Sequence, residues 1–299
     1  MLYICATPIG NLKDITLRVL DTLREVDLIA AEDTRHTRIL LSAYDIHTPL
    51  ESFHEHSSPE KADMLMGKLH EGLDIAYVSD AGEPLISDPG AVLVSRCIEE
   101  GIPFTSLPGA SALPDALIMS GMETERFVFE GFLPRDKKAF REAVKRLVSE
   151  PGTVVIYEAP HRLKKTLAAL SDGLGGHRRI AICRELTKKY EEVIRTDLAG
   201  ASSYYEENEP RGEYVLVLEG AQAAGSEDHG SGYDTLPVPE HVKMYEEQGL
   251  PRMEAMKAAA KDRGVRKSDI YKEMLGMKAG SAGKSDELLR RGENDTKGS

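Results

Sequence analysis

The chemistry of this chain concentrates in loops that follow short apolar runs. The richest is Val78-Ser79-Asp80-Ala81-Gly82-Glu83-Pro84-Leu85-Ile86-Ser87-Asp88-Pro89-Gly90. Its eleven residues from Asp80 to Gly90 hold two Gly, two Pro and two Asp. The run from Asp74 to Val78 before it reads as a buried strand. A loop of this kind offers backbone amides and carboxylates at the carboxyl end of a strand, where open α/β sheets bind ligands. Taken alone, the same composition also describes a plain Gly/Pro turn.

Four further loops repeat the pattern. Thr7-Pro8-Ile9-Gly10-Asn11 follows the first apolar run, and Pro108-Gly109-Ala110-Ser111-Ala112 follows the run ending at Leu107. Small residues there let a ligand approach the backbone. Tyr157-Glu158-Ala159-Pro160-His161-Arg162 gathers an acid, an imidazole and a guanidinium, and Arg184-Glu185-Leu186-Thr187-Lys188-Lys189 carries further charge. Each loop by itself fits an ordinary strand-to-helix turn. Five of them at strand ends converge on one rim. Neither a GxGxxG fingerprint nor a P-loop is present.

The elements that must position these loops alternate. Strands are expected at Leu2 to Ala6, Asp27 to Ala31, Asp74 to Val78 and Ile102 to Leu107. Helices are expected from Asp14, as cap, to Arg24, then at Thr34 to Tyr44, Glu60 to Glu71 and Gly90 to Glu100. That order implies a mainly parallel sheet with crossover helices. A second region starts at Phe127 to Phe132. It continues through a helix at Lys137 to Ser149, a strand at Thr153 to Tyr157 and a helix at His161 to Leu170. Strands at Arg179 to Cys183, Glu192 to Thr196 and Glu213 to Leu218 close it, and their shorter connections imply a mixed sheet.

The expected organisation is α/β. Residues 1–119 form a parallel-sheet domain, 120–220 a mixed-sheet domain, 221–238 a linker, 239–278 a helical appendage and 279–299 a disordered tail. In the appendage, Pro239 to Gln248, Arg252 to Arg263 and Lys267 to Leu275 suggest a helix-turn-helix or a small helical packing unit.

Bulk properties narrow the function. The chain has 299 residues, 41% of them hydrophobic, enough for real cores. No run approaches the roughly 18 apolar residues of a membrane span. The start, Met1-Leu2-Tyr3-Ile4-Cys5, lacks a signal-peptide pattern. Cys5, Cys97 and Cys183 are scattered, against a disulfide framework or a zinc site. A cytoplasmic protein is expected. A net charge of −12 argues against indiscriminate coating of nucleic acid, but basic residues cluster at Arg35-His36-Thr37-Arg38 and from Arg135 to Arg146. His54 and His56 have metal-compatible spacing, though polar loop histidines are the commoner case, and no metal is expected.

Together these motifs carry a resemblance. Ala6-Thr7-Pro8-Ile9-Gly10-Asn11-Leu12, Ala31-Glu32-Asp33-Thr34-Arg35, the loop from Ser79 to Gly90, Pro108 to Ala112, Gly131-Phe132-Leu133-Pro134, Tyr157 to Arg162 and Arg184 to Lys188 stand in the order and spacing of one family. The chain resembles the tetrapyrrole methylase superfamily, the class III S-adenosylmethionine-dependent methyltransferases, from residue 1 to about 219. Within it, the branch most similar is the bacterial cytidine 2′-O-methyltransferases of 16S ribosomal RNA. The resemblance implies a two-domain α/β fold with the cofactor cleft between the domains, a C-terminal helix-turn-helix-like segment and a homodimer. It implies S-adenosylmethionine as cofactor, held by Pro8, Asp80, Ala81, Gly82, Pro84, Ile86, Ser87, Ser111 and Ala112. The family usually has Thr where this chain has Glu83, which puts a hydroxyl contact in question.

The implied reaction is an in-line displacement by a ribose 2′-hydroxyl on 16S ribosomal RNA of the small subunit, in which alignment does most of the work. Glu158, Glu185 and Asp88 are the candidate bases, each also readable as an ion-pair partner of a nearby arginine. Phosphates would be held by Arg35, Arg38, Arg162, Arg184 and Lys188 and by Lys137, Lys138 and Arg141, which share one helix face. A tetrapyrrole such as a corrin precursor is the alternative acceptor within the family, and a non-catalytic RNA-binding assembly factor the alternative outside enzymology.

Overall fold

Three short apolar runs become strands β1 (Leu2–Cys5), β2 (Leu28–Ala31) and β4 (Ile75–Val78), and the half-buried Leu50-Glu51-Ser52 forms β3 (Leu50–Ser52). A fifth, β5 (Phe104–Leu107), completes a sheet ordered β3-β2-β4-β1-β5 with every pair parallel. β2 and β4 are buried throughout, as strands covered on both faces by crossover helices must be. The computed structural model describes residues 1–54, 59–86, 90–221, 236–247, 249–263, 265, 267–268 and 270–274.

The helices between these strands are α1 (Leu17–Glu25), α2 (Thr34–Ala43), α3 (Pro59–His70) and α4 (Ala91–Glu100). α1 starts later than its acidic residue suggested. Thr16 is its cap, accepting from the Val19 N–H at 3.2 Å, while Asp14 ends a separate 3-10 turn that Asn11 caps.

The connections decide where a ligand can sit. The chain leaves β1 and crosses β4 to reach β2. It leaves β4 and crosses β1 to reach β5. Neighbouring strands β1 and β4 thus send their connections in opposite directions, which opens a crevice between their carboxyl ends.

The second sheet runs β6 (Phe127–Phe132), β7 (Thr153–Glu158), β10 (Tyr214–Leu218), β8 (Arg179–Arg184), β9 (Glu192–Asp197) in spatial order. β6 and β7 are parallel and the other pairs antiparallel, so the sheet is mixed. Helices α5 (Ala112–Ser120), α6 (Lys137–Leu147), α7 (Pro160–Leu174) and α8 (Leu198–Glu207) accompany it. α5 lies before residue 120 yet packs on β10, β8, β7 and β9. Its Ala116 and Leu117 share an apolar cluster with Val155, Ala181 and Val217, and Ile9 from the loop after β1 enters the same cluster. Contacts accordingly gather Met1–Ala221 into one compact unit.

The remainder, Gln222–Ser299, is a second unit. Within it α9 (Val238–Glu247) and α10 (Arg252–Asp262) pack through Val238, Val242, Ala255, Met256 and Ala259, and Ile270 is buried with them. Most of the expected linker and all of the expected tail lie outside the described residues. No described helix is long and apolar enough to cross a membrane.

Candidate active site

The crevice between β1 and β4 is closed by a small backbone lattice. Thr7 N–H donates to the Gly82 carbonyl at 2.9 Å, Gly82 N–H returns to Thr7 at 3.0 Å, and the Thr7 hydroxyl donates to the Ser79 carbonyl at 3.2 Å. Gly82 holds φ +83°, and a Cβ there would lie 3.3 Å from Ile9 Cγ2. The turn therefore favours glycine for conformation and for space. Gly109, after β5, presses so close to β1 that a Cβ would sit 2.7 Å from Ala6 Cβ. Glu83 ties the two loops: its Oε1 accepts the Gly109 N–H at 2.9 Å.

Above this floor lies a cavity of about 380 Å³, within the usual range for small-molecule sites. The first sheet contributes Glu32 at the end of β2, Asp80 to Glu83 and Ile86. Ser111 and Ala112 begin α5, and Phe132, Tyr157 to Pro160 and Glu213 to Val215 come from the second sheet. Five carboxylates line it (Glu32, Asp80, Glu83, Glu158, Glu213), and no described Lys, Arg or His does. Such a lining suits a compact cationic ligand with apolar parts.

Of the residues expected at a donor site, Asp80, Ala81, Gly82, Ile86, Ser111 and Ala112 line this cavity. Pro84 is buried inside the loop. Pro8 lines a neighbouring cavity of about 150 Å³ with Thr7, His36, Ser79 and Asp80, so Asp80 belongs to both. Ser87 and Asp88 lie outside the described residues, as does His56.

Asp80 is placed by two contacts. Its Oδ1 accepts the Asp33 N–H at 3.0 Å, and its Oδ2 stands 3.4 Å from His36 Nδ1. Asp33 caps α2 through the Arg35 N–H and holds the Arg35 guanidinium on both carboxylate oxygens. Those Arg35 hydrogen bonds hold the Asp33 carboxyl well below the usual carboxylate range. Ligand atoms of Asp33, His36 and Asp80 lie within 4.8 Å of one another, close enough for a cation. Arg35 already occupies both oxygens of Asp33, so the group reads as an ion-pair network.

The candidate bases have other employment. Glu158 is buried: its Oε1 accepts from the Ala159 N–H at 2.8 Å and faces Arg162 Nε at 3.5 Å, and its Oε2 accepts from the Thr166 hydroxyl at 2.5 Å. Glu185 does not line the cavity. Burial raises its pKa, but hydrogen bonds from Lys188 and the Glu213 N–H, with the charges of Lys188 and Arg184, outweigh that and leave it lowered.

The expected phosphate contacts divide in two. Arg162 is mostly buried and donates to the carbonyls of Leu133 and Pro134 at 2.8 and 3.4 Å. Arg184 donates to the Arg211 carbonyl and pairs with Glu192, Lys188 bridges Glu185 and Glu213, and Arg35 is held by Asp33. Arg38, Lys137, Lys138 and Arg141 are exposed and form no ion pair among the described residues. The last three stand on one face of α6, which begins five residues after the cavity-lining Phe132.

Residues that sequence reasoning left unassigned also line the cavity. Glu32 and Phe132 stood inside quoted motifs, at strand ends beside the crevice. Glu213 to Val215 had no such signal. β10 is antiparallel to both neighbours, so its amino end, with Tyr214 opposite Glu158 and Arg184, meets the carboxyl ends of β7 and β8.

Comparison with known proteins agrees with this geometry. The family model for Tetrapyrrole (Corrin/Porphyrin) Methylases matches residues 1–201. Ribosomal RNA small subunit methyltransferase I of Halalkalibacterium halodurans is 48% identical over 270 residues, 90% of this chain and 93% of that protein. The protein of the same name from Bacillus subtilis is 46% identical over 271 residues, 91% and 92% of the two chains. Among solved structures, a cobalt precorrin-4 methyltransferase superposes with TM-score 0.57 at 16% identity, covering 73% of this chain and 94% of the other. A uroporphyrin-III C-methyltransferase from Thermus thermophilus, complexed with S-adenosyl homocysteine, gives TM-score 0.53 at 16% identity, covering 73% and 96%.

Proposed function

Because this chain belongs to the Tetrapyrrole (Corrin/Porphyrin) Methylase family, we propose that it uses S-adenosylmethionine to methylate ribosomal RNA of the small subunit, at a cytidine ribose 2′-oxygen. The ribosomal substrate rests on the relatives of 46–48% identity, aligned over nearly their whole length. The observation that carries the donor site is the switch-point cavity with its five carboxylates.

The residues present fit that donor. The Gly82 turn brings backbone to the cavity wall, and Ser111 and Ala112 add small side chains. Asp80 and Glu83 set negative charge beside a cationic group, while Ile9, Ile86 and Val215 offer apolar wall. When bound, S-adenosylmethionine would supply a sulfonium-activated methyl group, which the ribose oxygen takes as the C–S bond breaks, sulfur keeps the electron pair and the hydroxyl proton is released to solvent.

The chain's own task is alignment and exclusion of water. The Thr7–Gly82 pairing and the Glu83–Gly109 hydrogen bond fix the donor loops before binding. Glu158, with Arg162 and Thr166, fixes the opposite wall. Arg38 and the exposed face of α6 offer positive charge to phosphates, the sequence-independent part of RNA affinity.

The test is transfer of labelled methyl from S-adenosylmethionine to small ribosomal subunits from a strain lacking its own enzyme of this kind, with mass spectrometry of the nucleosides. A new 2′-O-methylcytidine supports the reading. Methyl label on a base, or on a tetrapyrrole and not on RNA, refutes it.

A further inference from the structure

We infer that Glu83 makes the donor cavity discriminate by charge, favouring the sulfonium of S-adenosylmethionine over the neutral thioether of S-adenosylhomocysteine. The inference rests on the donor-site reading above and names a specificity residue within it.

The five lining carboxylates are not equivalent. Glu158 faces Arg162, Glu213 is paired with Lys188, and Asp80 stands against His36 and takes an N–H from Asp33. Glu32 is engaged as well. Glu83 is half-buried on the cavity wall, and its hydrogen-bond partner is the neutral backbone N–H of Gly109. Among the described residues it forms no ion pair. A backbone amide orients the carboxylate without cancelling its charge, so Glu83 carries a negative charge that no neighbouring cation offsets. The hydrogen bond takes Oε1 and fixes the side chain at the junction of the loops after β4 and β5.

A charge held there acts on charge in the ligand. Donor and product share the adenosine, the ammonium and the carboxylate, so attraction to those parts cancels in the ratio of their affinities. What remains is the sulfonium, present only in the donor. Were the sulfonium held roughly 6–8 Å from this carboxylate, at an effective dielectric of about 40, between the surface value of about 20 and that of water, the charge would be worth about 5- to 10-fold in that ratio. The consequence is weaker product inhibition, since methyl transfer removes the charge Glu83 attracts.

The test is calorimetric titration of the wild type, Glu83→Gln and Glu83→Thr with S-adenosylmethionine and, separately, with S-adenosylhomocysteine. Gln keeps an acceptor of the same reach for the Gly109 N–H and removes the charge; Thr removes the charge and shortens the arm that carries the acceptor. The ratio of the two Kd values, taken on one preparation, is independent of the fraction correctly folded. The expected result is an about 5- to 10-fold fall in the ratio of donor to product affinity in both variants, whatever change the two ligands share. Equal weakening of both ligands makes Glu83 a loop tie only and overturns the inference, as does no change in either. A wild type that binds neither ligand removes the donor-site reading and this inference with it. A wild type that binds both, with an unchanged ratio in the variants, removes the inference alone.

Discussion

Replacing Arg162 with Met isolates the buried ion pair behind the cavity wall. The Glu158 side chain has no solvent exposure, and that of Arg162 has 17%. Methionine fills much of the arginine stem's volume but leaves the carboxylate without its cation. Breaking a buried pair from one side costs about 3–5 kcal/mol. The lost hydrogen bond to the Leu133 carbonyl adds about 1 kcal/mol. The Thr166 hydroxyl and the Ala159 N–H stay on Glu158 and keep the total near the lower end, about 3–4 kcal/mol. Urea denaturation followed by circular dichroism measures it. Adding Glu158→Gln to Arg162→Met removes the stranded charge and is expected to recover about 2 kcal/mol, the coupling of a contacting pair. A loss below about 1 kcal/mol, or a double variant no more stable than Arg162→Met, refutes the assignment of Arg162 as a brace. In the first case an RNA role for Arg162 regains its footing.

Four other outcomes are expected. Lys138→Glu with Arg141→Glu lowers RNA affinity at least about ten-fold and flattens its salt dependence, while calorimetric donor affinity stays unchanged. Gly109→Ala forces a Cβ to 2.7 Å from Ala6 Cβ, so thermal melting is expected to show about 1–3 kcal/mol of destabilisation, with weaker donor binding. The Glu185 pKa lies below its ordinary 4.5, so its stabilisation is present above that pH and lost as pH falls through the lower folded value. Wild type and Glu185→Gln are then expected to differ in urea stability at pH 7 and to converge as pH falls well below 4.5. Burial pushes the Cys5 thiol up to about 12 and Cys183 to about 11, and Cys97 is raised as well. Iodoacetamide at about pH 8 is thus expected to label none of the three in the native protein and all three in urea, counted by mass spectrometry.

The legible parts of the fold were those with a strong local signal. The apolar run of β4 and the glycine turn at Gly82 announce both a strand and a candidate ligand loop, whereas the lining positions of Asp80, Ser111 and Ala112 were expected from the family resemblance. Three elements gave no such signal. β3 is three half-buried residues at a sheet edge. α5 carries Pro114 in its first turn, where proline is tolerated although it reads as a breaker. α8 buries only Leu198, Ala201 and Tyr205, too sparse for a clear helical period, and its start rests on the Asp197 cap. The α1 boundary moved because two capping residues compete within five positions, and Asn11 takes the first turn. At the site, charge type was readable but partnership was not. Arg38 and Arg162 look alike in sequence, yet one is exposed and the other, in the first turn of α7, closes on Glu158 at the end of β7.

The position of β10 sets a timetable for the newborn chain. The parallel sheet is complete once residue 107 exists, whereas β10, ending at Leu218, is made last and inserts between β7 and β8. At 5–20 residues per second the gap is roughly 5–20 s. Late in it, the β6–β7 pair waits roughly 3–12 s and the β8–β9 hairpin roughly 1–4 s with unpaired edges, the condition that invites wrong pairing. The cavity wall from Glu213 to Val215 arrives with that same strand. A ribosome making this protein therefore finishes nearly all of its two-sheet unit before the product can grip a methyl donor.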